Sequence, residues 1–590
     1  MYEQMQSITK EVIGMVEYKA KDHSVLQSEL AELATRWPDM RFMRLHDLLW
    51  EREWLETALD AVLDNEGSKT AGVDEVSKRD LFDVDGKKRA EFLDELQREL
   101  RTRNYHPFPV LRKYIPKRKK EELRPIGIPT LKDRVVQMLL KMILEPIFEC
   151  DFLDNSNGFR LGRSTMECVL PLYQYGNEHF NYNYVIEGDI EGCFDNIDHE
   201  TLMKSVQKRI GDKKVLRLIW RFLKAPVKEL KILSKTKKGT PQGGILSPLL
   251  ANIYLNEFDH YWLEHWGSFT DYQRKQRLKH GQANCVLFRY ADDFILSAKG
   301  TREGVESIMK DITHYFAEQL KLNLSTDKTR IAPIDERFKF LGFQISREQL
   351  WGFKCVRMRP TQENVIRCKT KLQLMLGKEA EQDDPQMKVA SISQMFKGWS
   401  GYFYRVNSYE QFLALDYYAK QLFLQWYCRK HKVSIYQALA TITINNQIAV
   451  RRAGKVKLLY RMSDRPSEHT ALNRKAIWKY RHIANPYLMG DAMTDAKTEP
   501  EDPMAEAETI QSVHPISKAY GEIYLRNRLW AFRRDGWRCR DCNIRTKSLV
   551  AHHVIRVPRK GKYDPEIVHR VDNLRTMCAN CHRHLLEIRN

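Results

Sequence analysis

Apolar positions along the chain recur at two different spacings. Leu45, Leu48, Leu49 and Leu55 form a helical stripe that residues 58–63 continue, so residues 1–65 read as helical. The same spacing predicts helices over 90–100, 131–147, 213–223 and 303–320, and a long one through Leu249, Leu250, Ile253 and Leu255. Short apolar runs read as strands instead: Tyr184-Val185-Ile186, Val286-Leu287-Phe288, Phe294-Ile295-Leu296, and a hairpin over 338–343. Glycine-rich loops punctuate the pattern at 67–74, 158–164 and 239–248. The first resembles any helix-connecting loop, and the second, with Arg160 and Arg163, either contacts phosphate or simply turns. Residues 360–440 are helical and dense in aromatics, including Phe396, Trp399, Tyr402, Phe403, Phe412, Tyr418 and Phe423. At helical spacing such rings are more often core than stacking platforms.

Acidic residues change the picture at one place. Asp292 and Asp293 stand between two strand-like runs, which predicts a hairpin with both acids at its tip. Two like charges in a tight turn repel unless a cation lies between them. A solvated turn would show the same dipeptide, but Asp189 closes the Tyr184-Val185-Ile186 strand upstream. Carboxylates on neighbouring strands can hold two divalent ions for in-line phosphoryl chemistry. The basic segment 112–124 adds Lys117 and Arg124 across a predicted hairpin turn, close enough to meet one phosphate group, Arg bidentately and Lys as a point charge. A solvated charge run would look similar. In the 239–248 loop, Gln242 offers a flat amide to a sugar or base edge.

With 590 residues the chain is too long for one core, and two to four domains are expected. Its 97 Lys and Arg exceed its 77 Asp and Glu by 20, a surplus that points to a polyanionic partner. No run of 18 apolar residues occurs, so no membrane partner is expected. Residues 1–14 lack a signal-peptide apolar core and an Arg-rich transit composition. Residues 451–482 hold ten Lys or Arg against Asp464 and Glu468, a composition suited to a nucleic-acid backbone. Residues 491–508 reverse this with seven acids and read as a linker. Of 11 cysteines, seven are scattered, which suits a reducing compartment. The other four form Cys539-Arg540-Asp541-Cys542 and Cys578-Ala579-Asn580-Cys581, a tetrathiolate pattern for structural zinc.

The order of these motifs resembles reverse transcriptases encoded within group II introns. The residues that carry the resemblance are Gly72-Val73-Asp74, Ile115-Pro116-Lys117, residues 124–129, Gly158-Phe159-Arg160, Asp189 with Phe194-Asp195, residues 239–244, and Tyr290-Ala291-Asp292-Asp293. It implies that Asp189, Asp292 and Asp293 hold Mg2+ and that Lys117 and Arg124 grip the triphosphate of a deoxynucleotide. It further implies that Gln242 touches the nucleotide, Lys328 sits by the leaving pyrophosphate and Phe194 excludes a 2′-hydroxyl. The aromatic helices look similar to the maturase thumb, with Lys397, Arg405 and Arg429 expected to bind intron RNA. The tail resembles HNH endonucleases: His552 and His582 would bind a divalent ion, His553 would act as general base and Asn573 would fix local geometry. His584 departs from that pattern.

The expected fold is an α+β multidomain chain. Its parts are right-hand fingers and palm (1–355), a helical maturase thumb (356–445), a basic DNA-binding segment (446–490), an acidic linker (491–515) and a small ββα-metal HNH domain (516–590). The expected function is an RNA-directed DNA polymerase that copies intron RNA, aids its splicing and nicks double-stranded target DNA. A splicing cofactor with idle sites, or a reverse transcriptase of another retroelement, are the rival readings. The intron ribonucleoprotein is expected in the bacterial cytoplasm beside the nucleoid; an organelle and a homodimer fit the same sequence.

Overall fold

One strand, Tyr184–Asp189, divides the interior of this mixed α/β chain into two cores. The computed structural model describes residues 22–83, 85–116, 123–177, 180–230, 232–350, 353–378, 382–452, 454–465, 485–488, 549–553 and 574–578. Tyr184–Asp189 lies inside a four-stranded sheet, in the order Asn284–Tyr290, Asp293–Lys299, Tyr184–Asp189, Arg330–Pro333, with every pairing antiparallel. Successive side chains of a strand point to opposite faces. Accordingly Ile186, Leu287, Phe294 and Leu296 enter one core, while Val185, Phe288, Tyr290 and Ile295 enter the other. The continuous apolar runs are therefore strands covered on both faces.

The first core extends into the fingers. Helices His23–Arg36, Arg52–Leu63 and Leu131–Glu149 pack together through Leu30, Leu59, Leu139 and Ile143, all fully buried. Thr130 caps the third of these by accepting from the Asp133 N–H at 3.1 Å. Arg134 on that helix is a clamp: it donates to the carbonyls of Pro129, Gly67 and Thr70 and so ties down the first glycine loop. A second four-stranded sheet forms the fingers, in the order Leu123–Ile128, Val110–Pro116, Val227–Glu229, Ile232–Ser234.

The second core joins the palm to the thumb. The sheet of Phe338–Phe340, Phe343–Leu350 and Phe353–Pro360 packs under helices Gln362–Met375, Pro385–Phe403 and Tyr409–His431. Phe396, Trp399, Tyr402, Phe403, Phe412 and Phe423 are buried in this core, and Tyr418 packs against it. Packing of the helical unit does not stop at residue 445. The hairpin Gln447–Arg452 with Lys455–Leu458 follows, and Ile448, Val450, Leu459 and Met462 join the same core. Part of the basic segment is thus built into the thumb; the rest, 466–484, lies outside the described residues, as does the linker 491–515. In the tail, Leu549–His553 pairs antiparallel with Leu574–Cys578.

Beyond the thumb the chain touches the fingers again at Pro486–Leu488. Tyr487, 5% exposed, donates its hydroxyl to Glu145 at 2.8 Å, and Asn485 donates to the Cys150 thiol at 3.2 Å. Lys141 Nζ, 3.6 Å away, is the cation beside Glu145. Replacing Tyr487 by Phe leaves a buried carboxylate short of a donor. The expected cost is about 1–3 kcal/mol, seen as a lower urea midpoint; an unchanged midpoint would show that this docking contributes nothing in solution.

Candidate active site

The palm hairpin turns through Ala291 and Asp292, with Ala291 in the left-handed region at φ 57°. Asp293 does not share the tip: it begins the returning strand, where it pairs directly with Asp189. The three acids thus stand on adjacent strand ends, Asp189 and Asp292 half-buried and Asp293 exposed. Burial pushes the Asp292 carboxyl above its ordinary value, and the charge of Asp189 pushes the same way while Arg124 and Arg289 pull it down. Asp189 has a cation at hand, Lys328 Nζ at 3.1 Å from Oδ2. Its backbone is fixed too, the carbonyl accepting from Ser325 N–H at 2.8 Å. Among the described residues the three carboxylates do not all bring an oxygen within 4.8 Å of one another; the ligand atoms of Asp22, His23 and Glu53, two carboxylate oxygens and a ring nitrogen, do. Standing together on adjacent strand ends, these acids are the residues that could hold a divalent ion.

The turn is held from beneath by Arg289, which is fully buried. Its Nε donates to both oxygens of Asp259, at 2.9 and 3.1 Å, and Nη2 completes the fork. Nη1 donates to the Ala291 carbonyl at 2.9 Å and Asn252 Oδ1 at 3.2 Å, and Nη2 to Ser156 Oγ at 2.7 Å. The glycine loop packs on the same turn. A Cβ on Gly158 would stand 2.3 Å from the Ala291 nitrogen, so no larger residue fits without moving the acids. Arg160 does not face outward for phosphate. It is buried, donating to Glu149 and to the Leu153 and Ser156 carbonyls, while Arg163 pairs with Asp154.

The loop bearing Gln242 is stitched to both neighbours. Thr240 N–H donates to the Phe194 carbonyl at 2.7 Å, and the Gln242 carbonyl accepts from Gly127 N–H at 2.6 Å. Gly239 is needed at the junction, with φ 86° and its missing Cβ 2.6 Å from the Asp195 carbonyl oxygen. Gln242 donates from Nε2 to Asp195 Oδ2 at 3.2 Å. Phe194 is half-buried, edge-on to Phe159 with centroids 6.3 Å apart. Arg124 is exposed on Leu123–Ile128, opposite Ile115, and its charge reaches Asp292. Lys117 lies outside the described residues.

The three thumb cations do not form one patch. Lys397 is exposed, 5.9 Å from the Tyr460 ring centre, and Arg405 lies over Tyr404, donating to its hydroxyl at 2.7 Å. Arg429 donates to the Leu376 carbonyl at 2.7 Å, just past the end of Gln362–Met375. It sits near the far end of Tyr409–His431, about 30 Å along the axis from that helix's start. In the tail, His552 and His553 end a strand, with His553 opposite Leu574, the residue after Asn573. Cys578 ends the partner strand, opposite Leu549. Cys539, Cys542, Asn573, Cys581 and His582 lie outside the described residues. Reading the sequence by motif missed Arg289, Asp259, Asn252 and Ser156. The one signal available was a charge inside the apolar strand Asn284–Tyr290, where it demands a partner.

Comparison with known proteins agrees with this geometry. Residues 115–345 match "Reverse transcriptase (RNA-dependent DNA polymerase)", and residues 365–440 match "Group II intron, maturase-specific domain". Protein YkfC of Escherichia coli (strain K12) is 38% identical over 347 residues, covering 55% of this chain and 89% of that protein. The group II intron-encoded protein LtrA of Lactococcus lactis subsp. cremoris is 28% identical over 621 aligned positions, covering 93% of this chain and 96% of its own length. Nuclear intron maturase 1 of Arabidopsis thaliana, a mitochondrial protein, is 24% identical over 301 residues, covering 38% of this chain and 41% of itself. Match, coverage and palm geometry agree: the chain belongs to the group II intron reverse transcriptase/maturase family, the RNA-directed DNA polymerases that carry a maturase-specific domain.

Proposed function

We propose that this polymerase copies bound group II intron RNA into DNA, starting from a nick that its own tail makes in double-stranded target DNA. The observation that carries the polymerase half is the register of Asp189 against Asp293 with Asp292 in the turn between strands. Asp189, Asp292 and Asp293 would hold Mg2+. When bound, such ions stabilise the charge developing on the attacking 3′-oxygen and the leaving pyrophosphate. Arg124, with Lys117, grips the triphosphate of the incoming deoxynucleotide, and Lys328 approaches its leaving end. Gln242, held by Asp195, faces the nucleotide, and Phe194 closes the space that a 2′-hydroxyl would need. Lys397 and Arg405 contribute to intron RNA binding beside Tyr460 and Tyr404; Arg429 serves there as a helix-end clamp.

The nuclease half rests on sequence order and on register. His553 ends one strand of the tail hairpin and pairs with the residue after Asn573, while Cys578 ends the other. Cys539, Cys542, Cys578 and Cys581 would hold a structural Zn2+, and His552 and His582 a divalent ion beside the base His553. The 93% coverage by the LtrA alignment means that the resemblance enters residues 516–590. Nicking by the tail would leave the 3′-hydroxyl that the palm extends, which places the ribonucleoprotein at genomic DNA, in a bacterium at the nucleoid.

Two variants separate these activities. Asp292→Asn combined with Asp293→Asn is expected to abolish cDNA synthesis while splicing survives within a fewfold, because RNA folding can be assisted without a protein metal site. cDNA yield and ligated exons are measured in parallel; splicing lost with the acids would mean that the palm itself binds the intron. His553→Ala is expected to abolish nicking with target DNA binding retained, since a general base acts on rate and not on affinity. A gel shift beside a nicking assay reads this, and equal loss of both would make His553 structural.

A further inference from the structure

The buried guanidinium under the palm turn has connections that reach both sides of the first core. Asp259, its main partner, is fully buried on helix Ser247–Trp262 and also accepts from Asn155 at 3.1 Å. Ser156, which accepts from Arg289 through Oγ, accepts from Arg160 through its carbonyl at 2.6 Å, and Arg160 clamps Glu149 of helix Leu131–Glu149. Asn252, the other acceptor on Nη1, donates onward to the Gly158 carbonyl at 2.8 Å. One side chain therefore ties the turn to two helices and to the loop packed on it.

The bond that matters most is Nη1 to the Ala291 carbonyl, 2.9 Å. That carbonyl belongs to the same planar peptide as the Asp292 N–H, so holding it fixes the plane from which Asp292 departs. Ala291, at φ 57°, is in a conformation that alanine seldom adopts, and the bond helps to hold it there. We infer that Arg289 is a positioning residue for Asp292: it sets the peptide plane of the turn, and with it the direction in which the Asp292 carboxylate meets a divalent cation. This rests on the reading of Asp292 as a metal-holding carboxylate. A lysine keeps the charge but cannot reach Asp259, Asn252, Ser156 and Ala291 at once, because its ammonium lacks the planar fork.

The test uses the full-length protein extending a DNA primer on an RNA template across a Mg2+ titration. Arg289→Lys is expected to lower kcat at least tenfold and to raise the half-saturating Mg2+ concentration severalfold, with KM for primer–template unchanged. Arg209→Lys is the matched variant: that guanidinium is also buried and lies beside Asp151, bonding to the Ala34 and Trp37 carbonyls. Its Mg2+ requirement should stay within twofold of the parent chain. Equal shifts in both variants, or none in Arg289→Lys, overturn the inference. Should Arg289→Lys fail to melt cooperatively, Asn252→Ala is titrated instead. It removes the second acceptor on Nη1, loosening the guanidinium, and is expected to shift the Mg2+ requirement in the same direction; no shift there overturns the inference equally. Asp292→Asn separates the two levels. If it extends primers normally, the reading of Asp292 fails; if it is inactive while Arg289→Lys titrates like the parent chain, only the positioning role fails.

Discussion

Everything in this molecule depends on a sheet buried on both faces. The strand Tyr184–Asp189 gives alternate side chains to a fingers core and a thumb core, so neither core is complete without it. Such a sheet has little solvent-facing surface, so a charge along its strands needs a partner, as Glu187 has in Arg330, and carboxylates cost least at the strand ends. Asp189, Asp292 and Asp293 stand at those ends, where backbone is rigid and carboxylates still reach water. The acids occupy a margin of the palm where carboxylates need no buried counter-ion.

Charge beneath that margin obeys a different rule. Arg289 and Asp259 are both fully buried, and such a pair seldom adds net stability over an apolar replacement, although breaking it costs several kcal/mol. Its value lies in directionality, because a guanidinium fork with five donors admits one arrangement of partners. The Arg160–Glu149 pair, equally buried, continues this fixed geometry to the helix Leu131–Glu149. Together they make a rigid floor under a turn whose two central residues must not drift.

Local grammar explains what could be read from the sequence. The Tyr290-Ala291-Asp292-Asp293 hairpin, the 239–248 loop and helix Lys213–Leu223 announce themselves through contiguous residues. Placing Asp293 at the tip was an error of one residue, because the register with Asp189 is a property of the neighbouring strand. The side-chain partners of Arg289 lie 30, 37 and 133 positions away, and no local pattern encodes them. The loop of Arg160 likewise reads either as a phosphate contact or as a simple turn until the carbonyls that this guanidinium serves are seen. Lys397, Arg405 and Arg429 looked equivalent as charges in a basic stretch; only their neighbours show that Arg429 closes a helix end.

The return of the chain at Tyr487 has a mechanical meaning. Residues 466–484 connect the thumb to a point anchored on the fingers helix by Glu145 and Cys150. The chain that leaves the thumb after residue 465 is thus fastened again on helix Leu131–Glu149, at Glu145, 342 positions before Tyr487 in sequence. A pull on the chain at residue 488 is therefore met first by the Tyr487–Glu145 and Asn485–Cys150 contacts on the fingers helix, before it reaches the thumb.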